Sequence, residues 1–177
     1  MNRINPKHIR ILAIAPSTRG FGFAVVEGQE TLVDWGVKSI KGDKNNGSVT
    51  KIEELIAHYQ SGVLVLPDYS TKHSRRSARI RELSQRIIAM ASSRNVRVAL
   101  FSREQVKRVF LANGQGTKHA LAEILAKRFP GELGFRLPSK RRPWMSEDYR
   151  MDIFDAVSLA LTFINSKNKA TPRTSLA

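Results

Sequence analysis

The sequence predicts an α/β domain on a five-stranded mixed sheet: three antiparallel strands, then parallel strands, with helices on both faces. Three observations predict this class. Three short apolar segments follow one another between residues 10 and 40, with links too short for helices. Two later apolar runs, 63–67 and 96–101, alternate with segments of helical periodicity. At 177 residues the chain fits one domain large enough to bury a core.

The predicted strands differ in how they join. RILAIAPS, FGFAVVEG and TLVDWGVKSI are connected by STRG and GQE, and links this short make hairpins. The run VLVLP does not alternate with polar residues, as expected of a strand buried on both faces. VRVALF is the fifth strand.

Helical spacing of apolar residues predicts helices between and after the later strands. A polar loop at 41–48 precedes the first helix, over about 49–59, and a long basic helix covers 74–94. Ser102 is expected to cap a third helix, with Gln105 completing a capping box.

The remaining chain has two more predicted helices. Thr117 starts one of them after the turn NGQG, and a Pro/Gly/basic connector then occupies 130–144. Ser146 is expected to cap the last helix, which runs to about Asn165. We therefore expect one domain over 1–165 and a disordered polar tail over 166–177.

Composition narrows the class of protein. The chain has no cysteine, which excludes disulfides and thiolate metal sites. No apolar run approaches the roughly 20 residues of a membrane span, and the N-terminus MNRINPKHIR does not resemble a signal peptide. These features lead us to expect a cytoplasmic protein.

Positive charge is concentrated in the middle of the chain. The net charge is +15, and residues 69–142 hold 18 Lys/Arg against 4 Asp/Glu. Because these charges are interleaved with helical apolar spacing, they favour a folded face that neutralises phosphates of nucleic acid. A solvated basic surface and contact with anionic membranes are the alternatives.

Acidic residues gather in the last predicted helix. Asp152 and Asp155 are three residues apart, which places them on one side of a helix whose neighbours are apolar. Two like charges on a packed helix need a cation, and Mg²⁺ would serve because it takes oxygen ligands. Glu147 and Asp148 are explained by the helix dipole alone.

A further carboxylate ends a predicted buried strand. Asp68 follows VLVLP, and the carboxyl ends of strands border the crevice in open α/β sheets. Metal sites for phosphodiester hydrolysis draw carboxylates from several elements, so Asp68 could join the helix pair. The alternative is that Pro67 and Asp68 simply begin a turn.

Three segments together resemble one family. ILAIAPSTRGFGFAVVEG resembles the opening hairpin of the RuvC Holliday-junction resolvases, which have an RNase H-like fold. SREQVKRVFLANGQGTKHALAEIL is similar to the family's strand, short helix, Gly-containing turn and second helix, and MDIFDAVSLALTF to its closing Asp-x-x-Asp-Ala helix. The resemblance covers roughly residues 9–165.

The resemblance implies a site of four carboxylates that binds Mg²⁺ or Mn²⁺, with one departure. Asp152 and Asp155 match the last two, and either Asp68 or Pro67 matches the strand-end Glu. Ala15 stands where the family has its first Asp. Either an engineered inactivating substitution or a natural branch that lost the ligand would explain this alanine, and both predict poor cleavage with binding retained.

Nucleic-acid contacts are expected from basic residues around that site. Trp144 and Phe110 could stack on unpaired bases, although hydrophobic anchoring is the expected role of both. The histidines have no zinc-like spacing. The predicted phosphate-binding residues are Lys72, Arg75, Arg76, Lys107, Arg108, Lys118, Lys140, Arg141 and Arg142.

Two functions therefore compete. One is a Mg²⁺-dependent structure-selective endonuclease of the Holliday-junction resolvase type, impaired by Ala15. The other is a natively non-catalytic module that binds structured DNA or RNA, and a YqgF-like role in RNA processing or transcription stays open. A sugar-kinase or actin-like enzyme would need a second similar domain. By resemblance we expect a homodimer, with 74–94 as the first candidate for its interface.

Overall fold

A computed structural model describes residues 9–70 and 75–170. Five strands form one sheet in the order β3-β2-β1-β4-β5. The strands β1 to β3 are antiparallel neighbours, and β4 and β5 extend β1 as parallel strands, so the predicted sheet is confirmed. The strands are β1 Arg10–Pro16, β2 Gly20–Glu27, β3 Thr31–Ser39, β4 Val63–Pro67 and β5 Arg97–Phe101.

Helices cover both faces of the sheet, as predicted. One core cluster contains Leu12 and Ile14 of β1 with α1 and α2, and the other contains Ala13 and Ala15 with α3, α4 and α6. Successive residues of β1 thus point to opposite faces, and both faces are apolar because both are covered. The helices are α1 Lys44–Tyr59, α2 Ala78–Ser93, α3 Arg103–Phe110, α4 Lys118–Arg128, α5 Pro130–Leu133 and α6 Met151–Ala170, with short 3₁₀ turns at Ala112–Gly114 and Gly134–Arg136.

Capping side chains decide where the helices begin. The predicted caps Ser102 and Thr117 are confirmed, and Gln105 completes the capping box. The first helix begins earlier than predicted because Asp43 accepts the N–H groups of Asn45 and Asn46. The second begins later than predicted, since its cap is Ser77.

The last helix differs from its prediction at both ends. It begins at Met151 rather than after Ser146, because Asp148 accepts the N–H of Arg150 at 2.9 Å and closes a turn there. It continues to Ala170, past the predicted end at Asn165, so 166–170 belong to the helix. The rest of the predicted disordered tail, 171–177, lies outside the described residues.

The last helix lies directly on the central strands. At Gly22 of β2, an added Cβ would lie 2.2 Å from the carbonyl oxygen of Asp152 and 2.7 Å from its Cβ. Gly22 pairs with Ala15 across the β1–β2 ladder. Only a residue without a side chain permits this approach, which places Asp152 above the strand position where the resemblance expects an Asp. Within the described residues, no helix is both long and apolar enough to cross a membrane.

Candidate functional site

A cleft of about 640 Å³ opens beside the carboxyl ends of β1 and β4. Pro67 and Asp68 line it at the end of β4, and Ala15 lines it from β1. The opposite side is formed by α3, the start of α4 and the first turns of α6. This is the edge of an open α/β sheet where ligands commonly bind, because several loops converge there.

Three carboxylates form a cluster at this cleft. Ligand oxygens of Glu147, Asp152 and Asp155 lie within 4.8 Å of one another. Asp152 and Asp155 come together as predicted, since they are one turn apart on α6. Glu147 joins them from the connector, so attributing it to the helix dipole was wrong.

A lysine neutralises part of this cluster. The Nζ of Lys118 lies 2.6 Å from Oε1 of Glu147 and 2.8 Å from Oδ2 of Asp155. Burial opposes the charged form of Lys118, but the two carboxylates outweigh it and raise its pKa. The side chain of Lys118 is 26% exposed, so the ammonium is held inside the cluster rather than presented to solvent.

Asp152 has the most perturbed carboxyl of the cluster. Its pKa is raised to about 6, chiefly by burial and further by the charges of Asp155 and Glu147, while Ser17 and Lys118 act against the shift. The cluster therefore holds more negative charge than one lysine neutralises.

Asp68 lines the same cleft but lies outside the three-carboxylate cluster. Its Oδ1 accepts hydrogen bonds from the N–H of Ser70 at 2.9 Å and from the Ser70 hydroxyl at 2.6 Å. This is the turn that the sequence offered as the alternative to metal binding. Pro67 also faces the cleft and has no side-chain ligand atom.

Tyr69 is a cleft residue that the sequence reasoning missed. Burial raises its pKa to about 12, and the charges of Asp155 and Asp152 add to the rise, against the effect of Arg76. The guanidinium carbon of Arg76 lies 5.8 Å from the Tyr69 ring centroid. A tyrosine placed after a strand gives no signal in sequence, because the carboxylates that affect it, Asp152 and Asp155, lie more than 80 residues further along the chain.

Basic residues from three segments line the cleft. Of the predicted phosphate-binding residues, Arg75 and Arg76 line it after β4, while Lys107 lines it from α3 and Lys118 from α4. Arg103 also lines it, although the sequence assigned it no role. Lys72 lies outside the described residues. The other predicted phosphate-binding residues do not line the cleft; they are Arg108, Lys140, Arg141 and Arg142.

The residues present do not fit the four-carboxylate metal site that the resemblance implies. Ala15, only 5% exposed, presents a methyl group where the family's first Asp would be. Lys118 already makes ion pairs with two of the three clustered carboxylates, and Asp68 is engaged with Ser70. A divalent ion would have to displace an ammonium that is bound at hydrogen-bonding distance.

Solved structures share this fold, although no protein-family model and no curated protein matches the sequence. Thermus thermophilus RuvC is 19% identical, with a TM-score of 0.63 over 91% of this chain and 97% of its own. The same organism's RuvC in complex with Holliday junction substrate is 18% identical, with a TM-score of 0.65 over 93% and 98%. The yeast mitochondrial Holliday junction resolvase Ydc2 is 13% identical, with a TM-score of 0.63 over 95% and 82%. The RNase H-like fold of the RuvC type is thus confirmed.

Proposed function

We propose that this chain binds branched DNA, of which the four-way junction is the model, in the basic cleft, and that Ala15 impairs phosphodiester cleavage. The observation that carries the proposal is a cleft lined by cations from three separate segments, the chain after β4 and the helices α3 and α4, on a fold shared with a RuvC solved in complex with Holliday junction substrate. Structured RNA is the alternative ligand, because its backbone offers the same phosphate charges.

The arrangement of the cations supports a strand passing through the cleft. Arg75 and Arg76 line the cleft from the chain after β4, while Arg103 and Lys107 line it from α3. Contacts of arginine and lysine with phosphates release bound counterions and position the backbone without reading its sequence. Lys118 neutralises part of the acidic cluster, which reduces the repulsion that a phosphate would meet there.

A Mg²⁺- or Mn²⁺-dependent endonuclease is the second candidate. The three clustered carboxylates favour it, since they are the oxygen donors that hard cations take. In this chain position 15 offers no metal ligand, and a bound ion would compete with Lys118 for Glu147 and Asp155. Asp152 and Asp155 would hold an ion only after Lys118 is displaced, and Asp68 would have to leave Ser70 to join them.

Binding across a salt series tests the first proposal. Four-way, flap and linear duplex DNA of equal length are titrated by fluorescence anisotropy, in the presence and absence of EDTA. We expect the junction to bind most tightly, and EDTA to have no effect. Equal affinity for all three substrates would remove structure selectivity from the proposal.

Cleavage by a restored variant separates the two candidates. Ala15→Asp adds the missing carboxylate, and Ala15→Asn is its uncharged control. Mg²⁺-dependent cutting of a four-way junction by the Asp variant alone would identify an impaired nuclease. If no branched substrate is cut, the chain is a binding module.

We propose a homodimer as the assembled form, because a four-way junction offers two equivalent strands to a twofold-symmetric protein. The exposed positions of α2, the interface first expected, are mainly polar: Ala78, Arg81, Glu82, Gln85, Arg86, Ala89, Ser92 and Ser93. Sedimentation with and without junction DNA tests this assembly, and a monomer in both conditions would contradict it.

A further inference from the structure

The connector between α5 and α6 contains a loop, residues 139–147, whose aromatic and basic side chains do not line the cleft. Residues 139–147 are all exposed. Trp144 is 75% exposed at the centre of this loop, so the hydrophobic anchoring expected of it is wrong. A large apolar side chain gains about 1.5–3 kcal/mol by burial, and neither Trp144 nor its neighbour Met145, which is 50% exposed, realises this gain in the structure.

Contacts with α4 hold both ends of the loop, and Trp144 lies between them. At one end a ring nitrogen of His119 in α4 lies 3.0 Å from the carbonyl oxygen of the buried Pro138. At the other end Glu147 pairs with Lys118 of α4 at 2.6 Å. Between them the N–H of Met145 donates to the carbonyl oxygen of Arg142 at 3.0 Å, which closes a turn with Trp144 inside it.

Charge around the tryptophan favours nucleic acid over a protein partner. Lys140, Arg141 and Arg142 precede it, and the guanidinium carbon of Arg142 lies 5.5 Å from its ring centroid. An aromatic ring beside cations provides stacking for a base and neutralisation for the adjoining phosphate. Protein interfaces are depleted of lysine but enriched in arginine and tryptophan, so a protein partner is the alternative that the experiments below must exclude.

The loop is close enough to the cleft to act on the same ligand. Glu147 lines the cleft and follows Trp144 by three residues. Three residues span at most about 11 Å, which is about three nucleotide steps along one B-form strand. A base beside a phosphate held in the cleft is therefore within reach of the ring.

We infer that Trp144 stacks on an unpaired nucleobase, at a branch point or in a single-stranded segment, of the nucleic acid held in the cleft. This inference rests on the proposed function and deepens it. The phosphate contacts are shared by all substrates, whereas the stacking contact is made only where a base is not already stacked in continuous duplex.

Tryptophan fluorescence can test the stacking directly, because the chain has only two tryptophans. Trp35 is partly buried against the core. In a Trp35→Phe variant, emission comes from Trp144 alone, and in a Trp144→Phe variant from Trp35 alone. We expect oligo(dT) and a four-way junction to quench the first variant strongly, a blunt linear duplex to quench it little, and all three to leave the second nearly unchanged.

Affinity provides the matched measurement. Trp144→Ala should weaken binding of oligo(dT) by about 5- to 150-fold, the range for loss of one stacked base, and leave the linear duplex within about twofold. Trp144→Phe should retain most of the affinity, because a phenyl ring still stacks. Circular dichroism of each variant confirms folding.

The outcomes separate the inference from the proposed function. If the Ala variant binds all three ligands as the wild type does, stacking is refuted and cleft binding stands. If the wild-type protein binds none of them, the proposed function fails as well. If the substitution abolishes self-association instead of weakening oligo(dT) binding, the loop is a protein interface and the inference is overturned.

Discussion

Adding a carboxylate at position 15 should make the stability of the protein depend on divalent metal. Ala15 is almost fully buried and its side chain belongs to the core face that α6 covers. It pairs with Gly22, over which Asp152 lies. The Asp of Ala15→Asp would therefore enter beside a carboxyl whose pKa is already raised to about 6.

The size of the effect follows from this burial. A buried polar group without a partner costs about 1–3 kcal/mol, and each kcal/mol lowers the Tm of a chain of this size by about 2–4 °C. In EDTA we therefore expect the Asp variant to melt about 2–12 °C below wild type. A bound ion at 100 times its Kd contributes about 2.7 kcal/mol, which would return most of that loss.

Differential scanning calorimetry in EDTA and in excess Mg²⁺ measures the Tm of each protein, with Ala15→Asn as the uncharged control of the same shape. Wild type and the Asn variant should respond little to Mg²⁺, whereas the Asp variant should recover. A Mg²⁺ response equal in all three proteins would refute the reasoning, because the new side chain would then not face the acidic cluster.

Three other substitutions probe the cluster, the packing and the cleft. Lys118→Met removes the cation between two partly exposed carboxylates. We expect the free energy of unfolding to fall by about 1–2 kcal/mol in thermal melts and Mn²⁺ to bind more tightly in calorimetric titration. Unchanged Mn²⁺ affinity would mean that the lysine does not compete with metal. Gly22→Ala places a Cβ against Asp152 and should lower the free energy of unfolding by about 1–3 kcal/mol, measured by chemical denaturation. In the control Gly131→Ala, the added Cβ has no atom within 4 Å, and stability should not change. Equal effects of the two substitutions would contradict the close approach of Asp152 to Gly22. Arg103→Ala should lower the slope of log K against log salt for junction binding by about 1, unlike the exposed Lys127→Ala, and identical slopes would exclude a phosphate contact.

Local patterns in the sequence were sufficient for the sheet and for most helices. Hairpin links and unalternating runs depend on neighbouring residues only, so three antiparallel strands extended by parallel ones were predicted correctly, whereas the addition of β4 beside β1 was seen only in the structure. The caps Ser102 and Thr117 could be recognised for the same reason. The start of α6 could not, since a turn closed by Asp148 competes with the expected cap at Ser146.

The pairing of Asp152 with Asp155 was equally local, because helical spacing alone places them together. What joins them was decided in three dimensions. Glu147 and Lys118 are 29 residues apart, and only the packing of α4 beside α6 brings their charges into contact. The exposure of Trp144 could not be predicted from the sequence, since an apolar residue next to cations gives the same local pattern whether it anchors a loop or projects from it. Periodicity encodes contacts between near neighbours, whereas charge neutralisation and exposure depend on which distant segments the chain folds together.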